Sequence, residues 1–224
     1  MTGESFPIET PSPETCFPSL LSLVSERLDA AQRRAEPFFV HTLGIPAAGK
    51  SSFSRHLHKS FPKDPPAFVA FDAIMEAMPE YKAEPDSVHA FKLYELPARG
   101  AGYLLLKGLI DKKADILLDH SGARPDHAVL LRYAKTLGYK IFVVRLLADK
   151  ETSKARIRKR QLQEGRHTPL DYIDDRERGI NALVGDYKKI ADTYMEISND
   201  RELQTPSDAF EKACSSILAE VVSR

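Results

Sequence analysis

Long hydrophobic runs are missing from this 224-residue chain. A membrane-spanning helix needs ~20 consecutive apolar residues, so no such span is expected. Net charge is missing too, since 32 basic and 32 acidic side chains cancel. No global field marks the chain for nucleic acid or an anionic membrane, and neither is expected as a partner. Cysteine is scarce. Cys16 and Cys214 sit in opposite terminal segments and form neither a C-x-x-C pair nor a metal pattern. Free or buried thiols in a reducing cytoplasm are therefore expected. A basic stretch leading into an apolar one is also lacking at the start, which agrees with a cytoplasmic location. Four of the seven histidines, His56, His58, His120 and His127, show no ligand spacing and read as ordinary surface or satisfied side chains.

What is present points to one ligand. Gly44-Ile45-Pro46-Ala47-Ala48-Gly49-Lys50-Ser51 fits the phosphate-binding pattern G-x-x-x-x-G-K-[ST]. Phe38 to Leu43 reads as a buried strand entering the loop, and Ser51 to Lys59 as a helix leaving it. Glycines let the chain wrap closely around phosphate oxygens, with backbone N–H groups facing the anion at a helix N-terminus. Lys50 is placed to reach the β- and γ-phosphates, and Ser51 to coordinate Mg²⁺. The expected cofactors are ATP, with GTP as the alternative, and Mg²⁺.

The remaining chain alternates short apolar strands with helices. Met1 to Pro18, rich in Pro, Ser, Thr and Glu, reads as a flexible arm, and residues 19–224 as a single domain with its core at 38–199. Leu20 to Ala35 has one apolar helical face. Further strands are expected at Ala67 to Phe71, Ile116 to Leu118, Ile141 to Leu147 and Met195 to Ser198. Helices fall between them: Val88 to Lys112 with a kink at Pro97, Pro125 to Leu137, a basic helix Thr152 to Gln163, and one starting at Thr168-Pro169. A further helix, Ser207 to Val222, closes the chain. Such βα alternation implies a parallel sheet with helices on both faces, in a three-layer α/β arrangement with strand order 2-3-1-4-5.

Two acids follow strands directly, at the edge where open α/β sheets bind ligands. Asp72 suits a general base for a hydroxyl attacking the γ-phosphate, or equally an N-cap for Ala73 to Met78. Asp119, after Ile116-Leu117-Leu118, resembles a Walker B acid that holds Mg²⁺, though Asp at a strand end is also ordinary turn chemistry. Arg156 to His167 concentrates cations that either clamp a transferring phosphoryl group or face solvent.

Together these segments resemble the zeta toxin family of P-loop kinases, over about Phe38 to Asn199. The motifs are GIPAAGKSS (Gly44 to Ser52), Asp72 with Met78-Pro79-Glu80-Tyr81, ILLDHSGAR (Ile116 to Arg124), LGYKIFVVRLLA (Leu137 to Ala148), the basic lid helix, GRHTP (Gly165 to Pro169) and Ser198-Asn199. Active members phosphorylate a sugar hydroxyl of UDP-N-acetylamino sugars, and many are toxins held in check by an antitoxin. The resemblance implies Lys50 as the P-loop lysine, Asp72 as the catalytic aspartate, and Arg160 and Arg166 as lid arginines. Asp119 stands where the best-known members have Glu in an I-E-G-T context. Gly44, Ala47, Ala48, Gly49, Lys50, Ser51, Ser52 and Asn199 become the nucleotide-binding set, with Ser51 and Asp119 toward the metal. Met78-Pro79 replaces a frequent His-Pro. An acidic substrate-binding residue falls near Tyr103, with Glu95 the nearest acid upstream.

The expected activity is ATP-dependent phosphorylation of a hydroxyl on a small metabolite. Kinases of another acceptor (a nucleotide, dinucleotide, nucleic-acid end or antibiotic) share the scaffold. A nucleotide-gated binding protein is the reading from a different class, but it has no need of both Asp72 and a cationic lid.

Overall fold

The computed structural model describes residues 5–164, 167–199 and 208–222. Five short apolar segments form strands β1 (Phe38–Leu43), β2 (Ala67–Ala70), β3 (Ile116–Asp119), β4 (Lys140–Leu147) and β5 (Thr193–Ser198). They pair in parallel in the expected order β2-β3-β1-β4-β5. Every residue of the central β1 is buried, as both faces of a covered parallel sheet require. The strand period of two divides the core. Phe39 and Leu43 enter one apolar layer with Ile116, Leu118 and Ile141, whereas Phe38 and Val40 enter the other with Leu117, Phe142 and Val144.

Helices cover both layers. On the first lie α1 (Pro18–Ala30), α3 (Phe71–Ala77), α5 (Ser87–Asp111) and α6 (Pro125–Thr136); α4 (Pro79–Ala83) follows α3. On the second lie α2 (Lys50–Ser60), α7 (Lys150–Glu164) and α9 (Asp208–Val222). The helix α8 (Tyr172–Ile190) serves both, through Ile173 and Ile180 on one side and Tyr187 and Ile190 on the other. No helix among the described residues is long and apolar enough to cross a membrane.

Several boundaries differ from the sequence expectation. The first helix stops at Ala30 instead of Ala35. Arg33 there bridges to Ala114, Arg34 N donates to Lys113 O (2.9 Å), and the Arg34 guanidinium pairs with Asp115 at 3.0 Å. Thr168-Pro169 does not begin α8. Pro169 O and Leu170 O close short turns onto the Tyr172 and Ile173 amides, so the helix starts three residues later. The long helix α5 runs on through Pro97, capped by Asp86, whose carboxylate accepts from Val88 N (2.8 Å) and His89 N (3.2 Å). Its packing on α1 and α3 outweighs the amide bond that proline removes.

From Phe6 onward, the segment expected as an arm lies against the domain. The Phe6 ring meets Tyr133 edge-on at 6.0 Å, Phe17 meets Tyr94 at 5.8 Å, and Pro11 rests on Gly100.

Candidate active site

The loop between β1 and α2 turns through left-handed residues Ala47 (φ 58°) and Gly49 (φ 97°), the latter being the N-cap of α2. Alanine tolerates this region at a cost, whereas glycine enters it freely. At Gly44 the constraint is space: a Cβ there would lie 2.7 Å from Leu146 O. Three long-range hydrogen bonds hold the back of the loop. Asn199 Nδ2 donates to Ala48 O (2.7 Å), Arg156 Nη1 to Ala47 O (3.2 Å), and Arg156 Nη2 to Asn199 O (3.0 Å). Gly44 N donates to Ser121 O at 3.2 Å, tying the loop to the segment after β3. Lys50 Nζ donates to Gly44 O (3.0 Å) and Ile45 O (2.9 Å), within the loop it is expected to arm.

Register then sets the acids. Thr42 of β1 pairs with Asp119 of β3, and Ala70 of β2 pairs with the same Asp119. Asp119 therefore ends β3 at the carboxyl edge. Asp72, expected directly after the second strand, lies two residues beyond β2 in α3, because Phe71 already begins the helix. Asp119 is 7% exposed. Its Oδ1 accepts from Thr42 Oγ1 at 3.5 Å, and its Oδ2 is buried with no hydrogen-bond partner among the described residues. Burial pushes its carboxyl above the ordinary range, reinforced by the charge of Asp72; Lys50, the Ser51 hydroxyl and Arg55 pull the other way. Asp72, by contrast, is exposed in the first turn of α3. Ala70 is the N-cap of that helix, so the alternative reading of Asp72 as an N-cap is corrected: the helix begins one residue before it.

A cleft of about 150 Å³ opens where these elements meet. Lys50, Ser51, Asp72, Asp119 and Arg160 all line it. On α7, Arg156 and Arg160 lie one turn apart on the half-buried side that also carries Ile157, while Arg158 and Lys159 face solvent. The basic run is therefore divided: one face points into the fold and the other is a solvated surface. Arg166 lies outside the described residues.

Sequence reading missed several residues lining the cleft. Arg55 and Glu76 are each four residues beyond a predicted site residue, Ser51 and Asp72, so helical periodicity was a usable signal for both. Phe91, Glu95 and Arg99 form a stripe down α5, with Arg99 Nη2 donating to Glu95 Oε1. Tyr103, two turns below Glu95, lies elsewhere: it is buried, and its hydroxyl meets His127 Nε2 at 3.1 Å. Of the two positions considered for an acidic acceptor ligand, the cleft holds Glu95. From α8, Tyr172 and Arg176 also line the cleft, the Arg176 guanidinium lying 4.4 Å from the Tyr172 ring centroid.

Among the histidines, His127 is satisfied as expected, in a hydrogen-bonded chain with His41 Nε2 (3.2 Å) and the Tyr103 hydroxyl, whereas His120 Nδ1 has no hydrogen-bond partner among the described residues. The buried rings of His41 and His127 and the half-buried ring of His120 form a cluster above the first core layer. The His41 and His127 rings are 5.1 Å apart and the His120 and His127 rings 4.5 Å. Burial holds His41 down to about 4, and burial with neighbouring positive groups holds His120 and His127 well below the ordinary histidine value. All three rings are neutral at pH 7. None belongs to a metal cluster, since no group of three or more His, Cys, Asp or Glu among the described residues can hold an ion.

The donors present nevertheless suit Mg²⁺ in a phosphoryl-transfer site. That ion takes one or two protein oxygens and completes its shell with phosphates and water. The Ser51 hydroxyl and the unpartnered Asp119 Oδ2 are hard oxygen donors of that type.

A parallel 2-3-1-4-5 sheet with a phosphate loop after β1, an acid at the end of β3 and another at the start of α3 defines a P-loop protein of the kinase type. The family model for zeta toxin matches residues 24–195, and the chain belongs to that family. The fold is shared with a structure from the PezAT toxin–antitoxin system of Streptococcus pneumoniae, at 16% identity and TM-score 0.60, covering 97% of this chain and 100% of that one. It is also shared with a protein of Chloroflexus aurantiacus described as a kinase, at 16% identity and TM-score 0.57, covering 83% and 99%. No curated protein sequence matches the chain.

Proposed function

We propose that this protein transfers the γ-phosphate of ATP to a hydroxyl of a small molecule. One observation carries the reading: Asp72, Asp119, Lys50, Ser51 and Arg160, drawn from four separate segments, line a single cleft at the carboxyl edge of the sheet. A phosphate loop alone implies a grip on a nucleotide. An exposed carboxylate across the cleft adds a place for an acceptor proton to go.

In this reading, backbone N–H groups of the Gly44 to Ser51 loop bind the phosphates, with Ser52 and Asn199 at the nucleotide side. Lys50 leaves its loop carbonyls for the β- and γ-phosphates. Ser51 and Asp119 would hold Mg²⁺, which would neutralise phosphate charge when bound. Asp72 accepts the acceptor's hydroxyl proton as its oxygen forms a bond to the γ-phosphorus and the bond to ADP breaks. Arg160 neutralises the equatorial oxygens, and Arg166 is assigned to the same task by resemblance. ATP is the donor assigned here, with GTP as the alternative.

Family membership makes UDP-N-acetylamino sugars the first acceptors to try. It also motivates a protein partner of antitoxin type, and action in the cytoplasm, where Cys16 and Cys214 remain free thiols. The deciding experiment is incubation with ATP, Mg²⁺ and a water-soluble metabolite extract, followed by mass spectrometry for products heavier by one HPO₃. Lys50→Ala and Asp72→Asn should each abolish the product, with nucleotide binding retained in Asp72→Asn. Undiminished transfer by Asp72→Asn removes the base assignment.

A further inference from the structure

A second cavity, of about 460 Å³, lies along the open edge of β2 and has one wall, Phe68, in common with the catalytic cleft. The direction of the backbone makes that edge. Ala67 N donates toward β3, to Asp115 O at 2.8 Å, so the next residue, Phe68, turns its own N–H and carbonyl outward. Two helix ends close over it. Arg27 in the last turn of α1 donates to Phe68 O at 3.3 Å, and the His58 ring in the last turn of α2 donates to the Pro66 carbonyl. A volume of this size suits a small molecule.

The charges lining the cavity are unequally served. Arg34 Nε holds Asp115 Oδ2 at 3.0 Å, and Asp115 Oδ1 accepts from Phe38 N at 3.0 Å. Asp64 accepts from Gln32 Nε2 at 2.8 Å and stands at the solvent rim, its side chain 47% exposed. Arg27 is half-buried and has no ion pair among the described residues; the long bond to Phe68 O is its one hydrogen bond there. Burial already pulls its pKa below the ordinary arginine value. A guanidinium carries five N–H donors, so most of its capacity is unspent. Around it the wall is apolar and ring-lined: the Phe68 ring, the His58 ring 5.9 Å away, and Pro65-Pro66.

We infer that this cavity is a second ligand site, which takes a small monoanion carrying one carboxylate on an aromatic or heteroaromatic ring. The planar fork of Arg27 matches the two oxygens of a carboxylate, and the ring of the ligand lies against Phe68 and the prolines. One unpaired cation balances one negative charge. A second, as on a phosphate, would face Asp64 and Asp115 with nothing to offset it. The site stands apart from the kinase reading and does not depend on it.

The test is a titration of the full chain with indole-3-carboxylate, followed by amide NMR. Saturable shifts are expected at Ala31, Gln32 and Phe68, with half-saturation on the order of 1 mM. The neutral isostere indole-3-carboxamide should need at least tenfold more ligand, and so should Arg27→Met titrated with the carboxylate. If Arg27→Met fails to fold, Ala30→Trp takes its place: it fills the cavity from an exposed position on the rim and should weaken binding equally. The site is overturned by wild type showing no saturable shift at these amides, by equal binding of the carboxamide, or by undiminished binding in a folded variant. Shifts confined to Gly49, Lys50 and Ser51 would put the carboxylate in the catalytic cleft and overturn it too. Inorganic phosphate moving the same amides at equal concentration overturns the carboxylate class.

Discussion

Arg156 on α7 reaches back to the phosphate loop and donates to the Ala47 carbonyl at 3.2 Å. Its other terminal nitrogen holds Asn199 O, and Asn199 holds Ala48 O. The helix α7, the loop and the end of β5 are thus one hydrogen-bonded unit, and nucleotide binding should feel the loss of any member. Arg156→Ala should weaken binding of a fluorescent ATP analogue by about tenfold, equivalent to ~1.4 kcal/mol. Arg158→Ala, on the solvent face of the same helix, should leave binding within twofold. Equal effects from the two variants would show that only overall charge matters.

Gly102 bears on the position of Asp72. A Cβ on Gly102 would lie 2.4 Å from the Phe71 ring, and Phe71 immediately precedes Asp72 in α3. Gly102→Ala should cost ~1–3 kcal/mol of stability by overpacking and lower the transfer rate by displacing α3. Gly185→Ala serves as contrast. Nothing lies within 4 Å of its added Cβ, in an exposed stretch of α8. That change should stabilise by ~0.5–1 kcal/mol in urea unfolding. A destabilised Gly185→Ala would argue against the continuous helix there.

Asp119 trades stability for its role. Its folded carboxyl lies above the ordinary value because burial disfavours the charge. The folded state therefore holds a proton that the unfolded state has already released, and stability declines as pH rises through that interval. Asp119→Asn should unfold at higher temperature than wild type at pH 7, and the gap should close as pH falls toward 4. Phosphoryl transfer should be lost. A Tm gap that widens in acid would contradict the assigned direction.

The histidine chain sets an acid limit of its own. His41 is held at about 4, below the ordinary histidine value of 6.5, by burial first. Unfolding lets it take up a proton, so its contribution is present above pH 6.5 and is lost as pH falls from there toward 4. The full loss is ~3 kcal/mol from His41 alone. Urea unfolding of wild type against His41→Gln between pH 7 and 4 should show the difference; parallel pH profiles would refute it.

Breaking the chain from its middle should be costly. His127→Phe strands the Tyr103 hydroxyl and His41 Nε2 in the core, with an expected cost of ~2–4 kcal/mol. Adding Tyr103→Phe should recover part of that loss, because one orphaned group is removed. A double variant less stable than the sum of the singles would mean the two side chains do not share a bond.

The phosphate loop, the βα alternation and the acid Asp119 at the end of β3 were legible because each is a local pattern. Loop conformation depends on Gly44 and Gly49, strand identity on short apolar runs, and the edge an acid occupies on the direction of its strand. Boundaries were less legible where a distant partner claimed the chain. Residues Arg33 and Arg34 leave α1 because Lys113, Ala114 and Asp115 lie beside them. The basic lid was visible as a run, but which of its arginines turn inward was not.

The sequence by itself determined that this chain grips a nucleoside triphosphate on a parallel α/β sheet. Only the tertiary structure decided what surrounds that grip. Asn199 closes on Ala48 across 151 residues of sequence, and Arg156 on Ala47 across 109. Glu95 and not Tyr103 lines the cleft, because the Tyr103 side of α5 is taken up by His127 and Phe71. His120 looked ordinary until its neighbours left it the one unsatisfied ring of three. Such outcomes follow from which faces of packed elements meet. That is a property of long-range burial, and no local pattern carries it.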